Sequence, residues 1–567
     1  MCINQSDDKE KSWQVGLMAD IYRHAYKVIA WLGPADESSD SVVDCLNAFG
    51  EKAEACCMDV GPEPYLEVWK ELALNTPTRT LASRMPWSSQ IALHSLFRSV
   101  GGWHDQDHLL PIASIRSFFT RPWWGRIWIL QEITLPENAE LICGTKKITR
   151  SRCSAIINAY LALWFIVTVK FKIEPKSLTP YHFEIIQSSF HHRPNIMLSS
   201  RRIYKYGGFP LAALLRATCV GSINLHRHGP HNLESTDPRD KIFALLGLAA
   251  DREELEDLGV FPDYTKSYEQ TYATAMAAML QQGHLSLLSL CQTHGSPRHL
   301  PSWIPDWSKS ITDMLQDVEN DHVTVYPRFN ASGAKQQNVK VSIIRNEGSI
   351  KGISVMCFLY DEIHEIGYFP DRASSHEVPL SETFTWPIKW LLEIIRMTYY
   401  NEQVYGNFSN RLHAAARSSI GGVGWNEDAE MARVGDDRFF DAVILLQKGI
   451  NRIKNNRIKF EAQQFLASKA VKDIAKNSAV VQPKLDSEIF GKSLGRLPFI
   501  TKRGHLGLGY EYIQRGDVVA LIRGVQVPFV LRNHSGGQYE VVGEAYVDGI
   551  MDGEAMEGSK CDHVELV

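Results

Sequence analysis

The run Lys27-Val28-Ile29-Ala30-Trp31-Leu32, closed by Gly33-Pro34, constrains the fold of this 567-residue chain more than any other stretch. Its β-branched and aromatic residues read as a short strand, and the Gly-Pro pair stops it. Helical patterns flank it on both sides. Asp7, with Glu10 three residues later, gives a helix start. Leu17, Met18, Ile21, Tyr22 and Ala25 then recur on one face. A second pattern after Glu37 turns Val42, Val43, Leu46 and Phe49 inward. Helix, buried strand and helix in that order predict a parallel α/β sheet within residues 1–145.

The chain is too long for one core, and roughly 150 residues per domain allows three or four units. Residues 146–310 read as a mainly helical region. Its clearest element begins at Asp237, an N-cap followed by Pro238, with Ile242, Phe243 and Leu246 as the apolar stripe. A similar helix runs from Ser267 to Gln282. The end of the chain changes character. Val518–Ile522, Val525–Leu531 and Tyr539–Tyr546 are strand-like runs separated by turn residues, which predicts an antiparallel β meander. Val339–Ile344 and Ser349–Tyr360 form a matching pair. The β-rich unit is therefore assigned to 311–370 and 495–560. Residues 371–494 form a charged helical insertion, broken at Gly421-Gly422-Val423-Gly424.

Composition excludes several classes. With 44% hydrophobic and 22% charged residues the chain is neither disordered nor fibrous. A formal charge of -5 gives no reason to expect nucleic acid as a partner. The ten cysteines are scattered, without a C-x-x-C pair, and the first residues are polar. A reduced cytoplasmic setting is the simplest reading. The uncharged run Cys153–Val169 reaches the lower limit for a bilayer span, but it holds Ser154, Asn158 and Thr168. It is read as a buried helix, and no membrane contact is expected.

Several motifs fail. Asp486 stands where a phosphate loop ending in Gly491-Lys492-Ser493 needs its first glycine. His364-Glu365 lacks the second histidine of a zinc-protease helix, and no G-x-S-x-G occurs. Gly507-x-Gly509 is too short for a dinucleotide fingerprint. His226, His228 and His231 share a Gly/Pro loop that reads as solvated, so no metal is expected.

The segment from Arg121-Pro122-Trp123-Trp124 to Gln131-Glu132-Ile133 stands apart. As one helix starting at Pro122 it places Trp124, Trp128 and Glu132 on one face, setting a carboxylate against two indoles. Apolar rings disfavour the ionised carboxylate and raise its pKa toward the range of a working acid or base. The alternative is structural: Glu132 pairs with a distant arginine while the tryptophans fill a core.

These words resemble a known family. Cys2-Ile3-Asn4-Gln5, Gln14, Met18, Ile21-Tyr22, Ala25 and Trp31-Leu32-Gly33 are similar to the first half of the fungal heterokaryon-incompatibility (HET) domain. Arg121-Pro122-Trp123-Trp124, Arg126, Trp128, Gln131-Glu132 and Cys143-Gly144 resemble its second half. Asp237–Lys241, Leu246-Gly247-Leu248, Pro262-Asp263-Tyr264, Leu300–Trp307 and Gly543–Met551 look like segments that accompany it. The resemblance implies non-self recognition between fungal strains, with programmed cell death as output. It also implies a flavodoxin-like fold, because the domain is distantly similar to TIR domains. Partners would be other incompatibility proteins, or a second copy meeting through this domain.

Enzymatic TIR domains cleave NAD at the nicotinamide–ribose bond with a glutamate four residues after a tryptophan, the spacing of Trp128 and Glu132. By that resemblance Glu132 is the catalytic candidate. Trp124, Trp128, Gln131, Asn4 and Gln5 are the substrate-binding candidates, and NAD is a substrate rather than a cofactor. A purely associating module, with Glu132 structural, is the alternative, and an inactive paralogue is a third. The family pattern opens with two strands before its Cys-Ile-Asn-Gln stretch, which here stands at the first methionine. The expectation is a parallel sheet incomplete at its N-terminal side, from a truncated gene or an internal methionine.

Overall fold

In a computed structural model the structure describes residues 3–56, 58, 95–96, 111–160, 192–205, 207–221, 232–292, 299–312, 314–316, 328–333, 339, 341–369, 385–425, 431–435, 437–469, 471 and 485–567. The chain divides into two compact units, residues 1–271 with 307–310, and residues 272–306 with 311–567. Among the described residues no helix is long and apolar enough to cross a membrane. The Cys153 run is helical from 150 to 160, with Cys153, Ala155, Ile156, Ala159 and Tyr160 buried; its remainder lies outside the described residues, as do His226, His228 and His231.

In the first unit α1 (Asp8–His24) starts where its cap requires, the Asp7 carboxylate accepting from the backbone of Lys9 and Glu10 at 3.0 Å each. Its deepest residues are Val15 and Ala19, whereas Leu17, Met18, Ile21 and Tyr22 are half-buried. Strand β1 (Val28–Trp31) runs parallel to β2 (Ala139–Cys143), and β3 (Lys146–Thr149) returns antiparallel to β2. The sheet is therefore mixed. Helix α2 (Ser39–Ala55) buries Val42, Val43 and Leu46 as expected. The strand is not buried on both faces, however. Ala30 is sealed, while Ile29 and Trp31 on the other face are 60% and 52% exposed.

Helix α3 (Ile112–Phe119) leads into a single 3-10 turn, Pro122–Gly125, and then into α4 (Ile129–Thr134). Helices α5 (His192–Lys205), α6 (Leu211–Cys219) and α7 (Asp240–Leu246) complete the core that concerns the site. Helix α7 starts two residues later than its Asp-Pro signal predicts, and all of it is buried. Asp237 caps the turn before it, accepting from the Arg239 backbone at 3.0 Å.

The second unit holds α8 (Tyr268–Gln281), which crosses the division, and β4 (Ser342–Asn346) with the long β5 (Ser349–Ile366). The expected insertion folds as α9 (Trp386–Met397), α10 (Phe408–Ser419), α11 (Asp437–Gly449), α12 (Asn456–Ala467) and α13 (Leu485–Ser493). Its glycine break opens a small hairpin, β6 (Val423–Trp425) and β7 (Met431–Arg433). Then follow β8 (Arg496–Thr501), β9 (Leu506–Tyr510), β10 (Val518–Ile522), β11 (Phe529–Asn533), β12 (Gln538–Glu544), β13 (Tyr546–Val547) and β14 (Asp562–Leu566).

These strands do more than meander. β5 pairs with β10, β10 with β11, β11 with β12, β12 with β14, and β14 returns to β5, so the ring closes. β5 is long enough to pair with β10 and β14 and also with β8, which carries β9 and β13. Val519, Leu521, Val530, Val542, Ile363 and Phe499 belong to one apolar core. Gly543, at a φ of 148°, lets the chain pass the Tyr510 ring, which an added Cβ would meet at 2.3 Å. Next to it Glu544 is fully buried. It accepts from the Leu315 backbone at 2.6 Å and from the Arg496 guanidinium at 3.1 Å.

Candidate functional site

The expected single helix from Pro122 to Ile133 does not form. Arg126 is extended (φ -85°, ψ 128°), and its flanks bond to a passing segment: Ile127 N–H donates to Glu234 O at 2.9 Å, and Glu234 N–H to Gly125 O at 2.6 Å. That bridge consumes the backbone groups a continuous helix would need. The two tryptophans part as a result. Trp124 is wholly buried, 4.8 Å from Trp123 and 5.2 Å from Phe119 between ring centroids. It is a core residue, and its assignment to substrate binding is corrected. Trp128 caps α4 with helical angles and stays half-buried, so it shares a face with Glu132 one turn on.

Glu132 is neither exposed to bulk water nor locked to a distant guanidinium. It is half-buried and lies near the Tyr22 hydroxyl of α1. Burial raises its carboxyl above the usual range, against the charge of Arg126 and the nearby Tyr22 hydroxyl. Burial, then the Glu132 charge, pushes the Tyr22 phenol well above its ordinary value. Among the described residues Glu132 makes no ion pair. The end of α4 is held by two arginines. Arg150 donates to the carbonyls of Ile133 and Pro136 at 2.8 Å each, and Arg201 to those of Thr134 and Leu135 at 2.9 and 2.8 Å. They satisfy carbonyls that the helix leaves open.

Gln131 points away from that face. Its amide donates to Ala244 O of α7 at 2.9 Å, and a Cβ on Gly247 would come within 2.9 Å of it and 2.6 Å of Ala19. Gln131 therefore fastens α4 to α7 beneath α1, and does not shape a ligand wall as predicted. Asn4 and Gln5 lie beyond the other end of α1. Asn4 accepts from the Ser6 backbone and hydroxyl at 3.1 and 2.8 Å, and Gln5 donates to Ile3 O at 3.4 Å. With Tyr22 fourteen residues into α1, a rise of about 1.5 Å per residue keeps them roughly 20 Å from Glu132. Of the six candidates the structure brings Trp128 and Glu132 together.

Residues that sequence reasoning passed over complete the neighbourhood. Trp128 lies near the Asp240 carboxyl of α7, which accepts from the Tyr264 hydroxyl. Burial raises the Asp240 carboxyl against the Tyr264 bond. The Lys11 ammonium lies 3.8 Å from the Tyr264 ring centroid and pairs with Asp237 at 3.5 Å. Arg239 forks onto Asp237 at 2.9 and 2.8 Å and donates to the carbonyls of Tyr264 and Lys266. Against burial, the Arg239 bonds and the Lys11 charge hold Asp237 below the usual carboxylate range. The motifs Asp237–Lys241 and Pro262-Asp263-Tyr264 were visible as words, but no spacing rule carries either to Trp128.

Residues 1–132 match the family described as heterokaryon incompatibility protein (HET), and residues 457–567 match the Het-6 beta-barrel domain. The closed ring reaches outside the second match, since β5 lies upstream of it. The chain is 26% identical over 598 residues to heterokaryon incompatibility protein 6, OR allele, of Neurospora crassa, covering 100% of this chain and 82% of that protein. No solved structure matches. With the predicted family words in place at both ends, the chain resembles HET-domain proteins at its N-terminal end, Het-6 barrel domains at its C-terminal end, and an incompatibility protein of a filamentous fungus along its length.

Proposed function

We propose that the chain acts in fungal heterokaryon incompatibility, its HET domain serving as an association module whose engagement promotes cell death. The observation that carries this reading is likeness along the whole chain, HET domain and barrel together, to an incompatibility protein. Partners are other incompatibility proteins or a second copy, and the site of action is the cytoplasm. Expression in a fungal host, followed by viability, tests it. Death on pairing with an incompatible strain is expected, and indifference to every pairing would refute it.

A second reading is favoured by one local observation. Glu132 is a half-buried acid without an ion pair among the described residues, one turn from a half-buried indole. That environment suits a carboxylate stabilising the oxocarbenium-like state in which NAD loses nicotinamide. NAD level in the same cells decides between the two. Death with NAD intact, or with Glu132→Gln as lethal as wild type, leaves the association reading alone.

A further inference from the structure

Among the described residues the sheet of the first unit has two edges, β1 and β3, with β2 between them. An edge strand presents unpaired N–H and C=O groups, and chains that stay apart guard such edges with lysine, proline or a bulge. The two edges differ in this respect. β3 carries Lys146 and Lys147. β1 carries no guard: Val28-Ile29-Ala30-Trp31-Leu32 holds neither a charge nor a proline, and it pairs with β2 in unbroken register.

The open groups on β1 belong to particular residues. Val28 N–H donates to Asn138 O at 3.0 Å and Leu32 N–H to Ile142 O at 2.8 Å. Backbone groups alternate along a ladder, so Val28, Ala30 and Leu32 face β2, while Ile29 and Trp31 turn their N–H and C=O outward. The same two residues carry the side chains that stand 60% and 52% exposed on the open face. Single apolar side chains on a surface are ordinary. Here they coincide with the unpaired backbone, and Ile142 continues the apolar strip beside Trp31. The charges nearby are already matched, since Glu140 pairs with Lys27 at 2.8 Å and with Lys147 at 3.9 Å.

We propose that β1 is the surface on which a second copy of this chain docks, edge to edge and antiparallel about a two-fold axis at Ala30. In that register Ile29 lies opposite the partner's Trp31, and Trp31 opposite the partner's Ile29. Each pair exchanges both backbone bonds and sets a β-branched side chain against an indole on one face. Lys27 comes opposite Gly33 of the partner subunit, so no like charges meet. This self-complementarity selects a second copy over a foreign strand, because one isologous contact satisfies every outward group of Ile29 and Trp31 and closes at two chains. The proposal rests on the association reading and names its partner and its surface, but it is read by assembly and not by death.

Sedimentation velocity on the full chain, over about a hundredfold range of concentration, tests it. So small an interface should give a weak, reversible dimer in the micromolar range. Ile29→Pro removes an N–H that β2 does not use and should raise the dimer Kd at least about tenfold. Ile29→Glu and Trp31→Lys should each do the same alone. Mixed together, they place the new carboxylate of one copy against the new ammonium of the other, and a heterodimer should return to within about threefold of the wild-type Kd. Thermal melts accompany every variant. If the proline variant does not fold, the charged pair still decides, since both side chains stand largely in solvent. A monomer at every concentration, a dimer that all three substitutions leave intact, a mixture that fails to associate, or an assembly that grows past two would overturn the proposal. A dimer in a chain that never kills would remove the death-promoting reading and leave this surface; a killing chain that stays monomeric would do the reverse.

Discussion

Two tryptophans four residues apart meet opposite fates, and the difference is measurable. Trp124 is fully buried among Phe119 and Trp123, so Trp124→Ala should cost about 3–5 kcal/mol in urea unfolding. Trp128→Ala, at a half-open position, should cost clearly less. Glu132 gives a second test at this scale. Its carboxyl holds a proton to higher pH when folded than when unfolded, so the folded chain binds more protons between the two pKa values. Stability is therefore greatest below the ordinary carboxylate range and is lost as pH rises through the raised value. Glu132→Gln lacks that titration. From about pH 4 to about pH 8 its stability should gain on wild type, and a gap that stays flat would contradict the burial effect.

At the scale of elements, strands and helices with strong local signals were legible from sequence. Asp7 capped α1 as predicted, β1 stopped at Gly33-Pro34, and β10 spans the predicted residues. The break at Arg126 was not legible, because a distant segment at Glu234 supplies the bonds that prevent a continuous helix. That one break separated Trp124 from the site, and Gln131 turned to α7 because Gly247 leaves room for its amide. Asp240, Tyr22 and Tyr264 escaped for the same reason: their neighbours are set by packing, not by spacing. The short α4 depends on its arginine clasp. Arg201→Ala leaves the Thr134 and Leu135 carbonyls without their charged donor and should cost about 1.5–3 kcal/mol, read by thermal or urea unfolding. Arg201→Lys should recover only part, since an ammonium lacks the planar fork.

Across the second unit, stability gathers around a charge buried in the β structure. Glu544 is 0% exposed on its side chain and Arg496 4%, and the carboxylate also holds the Leu315 backbone. Replacing either partner alone strands the other, so Glu544→Leu should destabilise by about 3–5 kcal/mol, whereas the double variant with Arg496→Met should lose much less. A cycle of four urea melts measures this. The ring of strands has a further consequence. Its closing contact joins Asp562 to Cys357, about 200 residues apart in sequence. Long closures of this kind are entropically costly and slow to find. A nascent chain therefore emerges from the ribosome with the rim of β5 unsatisfied and holds it open until β14 follows. During that interval the molecule is most in need of a chaperone and most exposed to mispairing with its own kind.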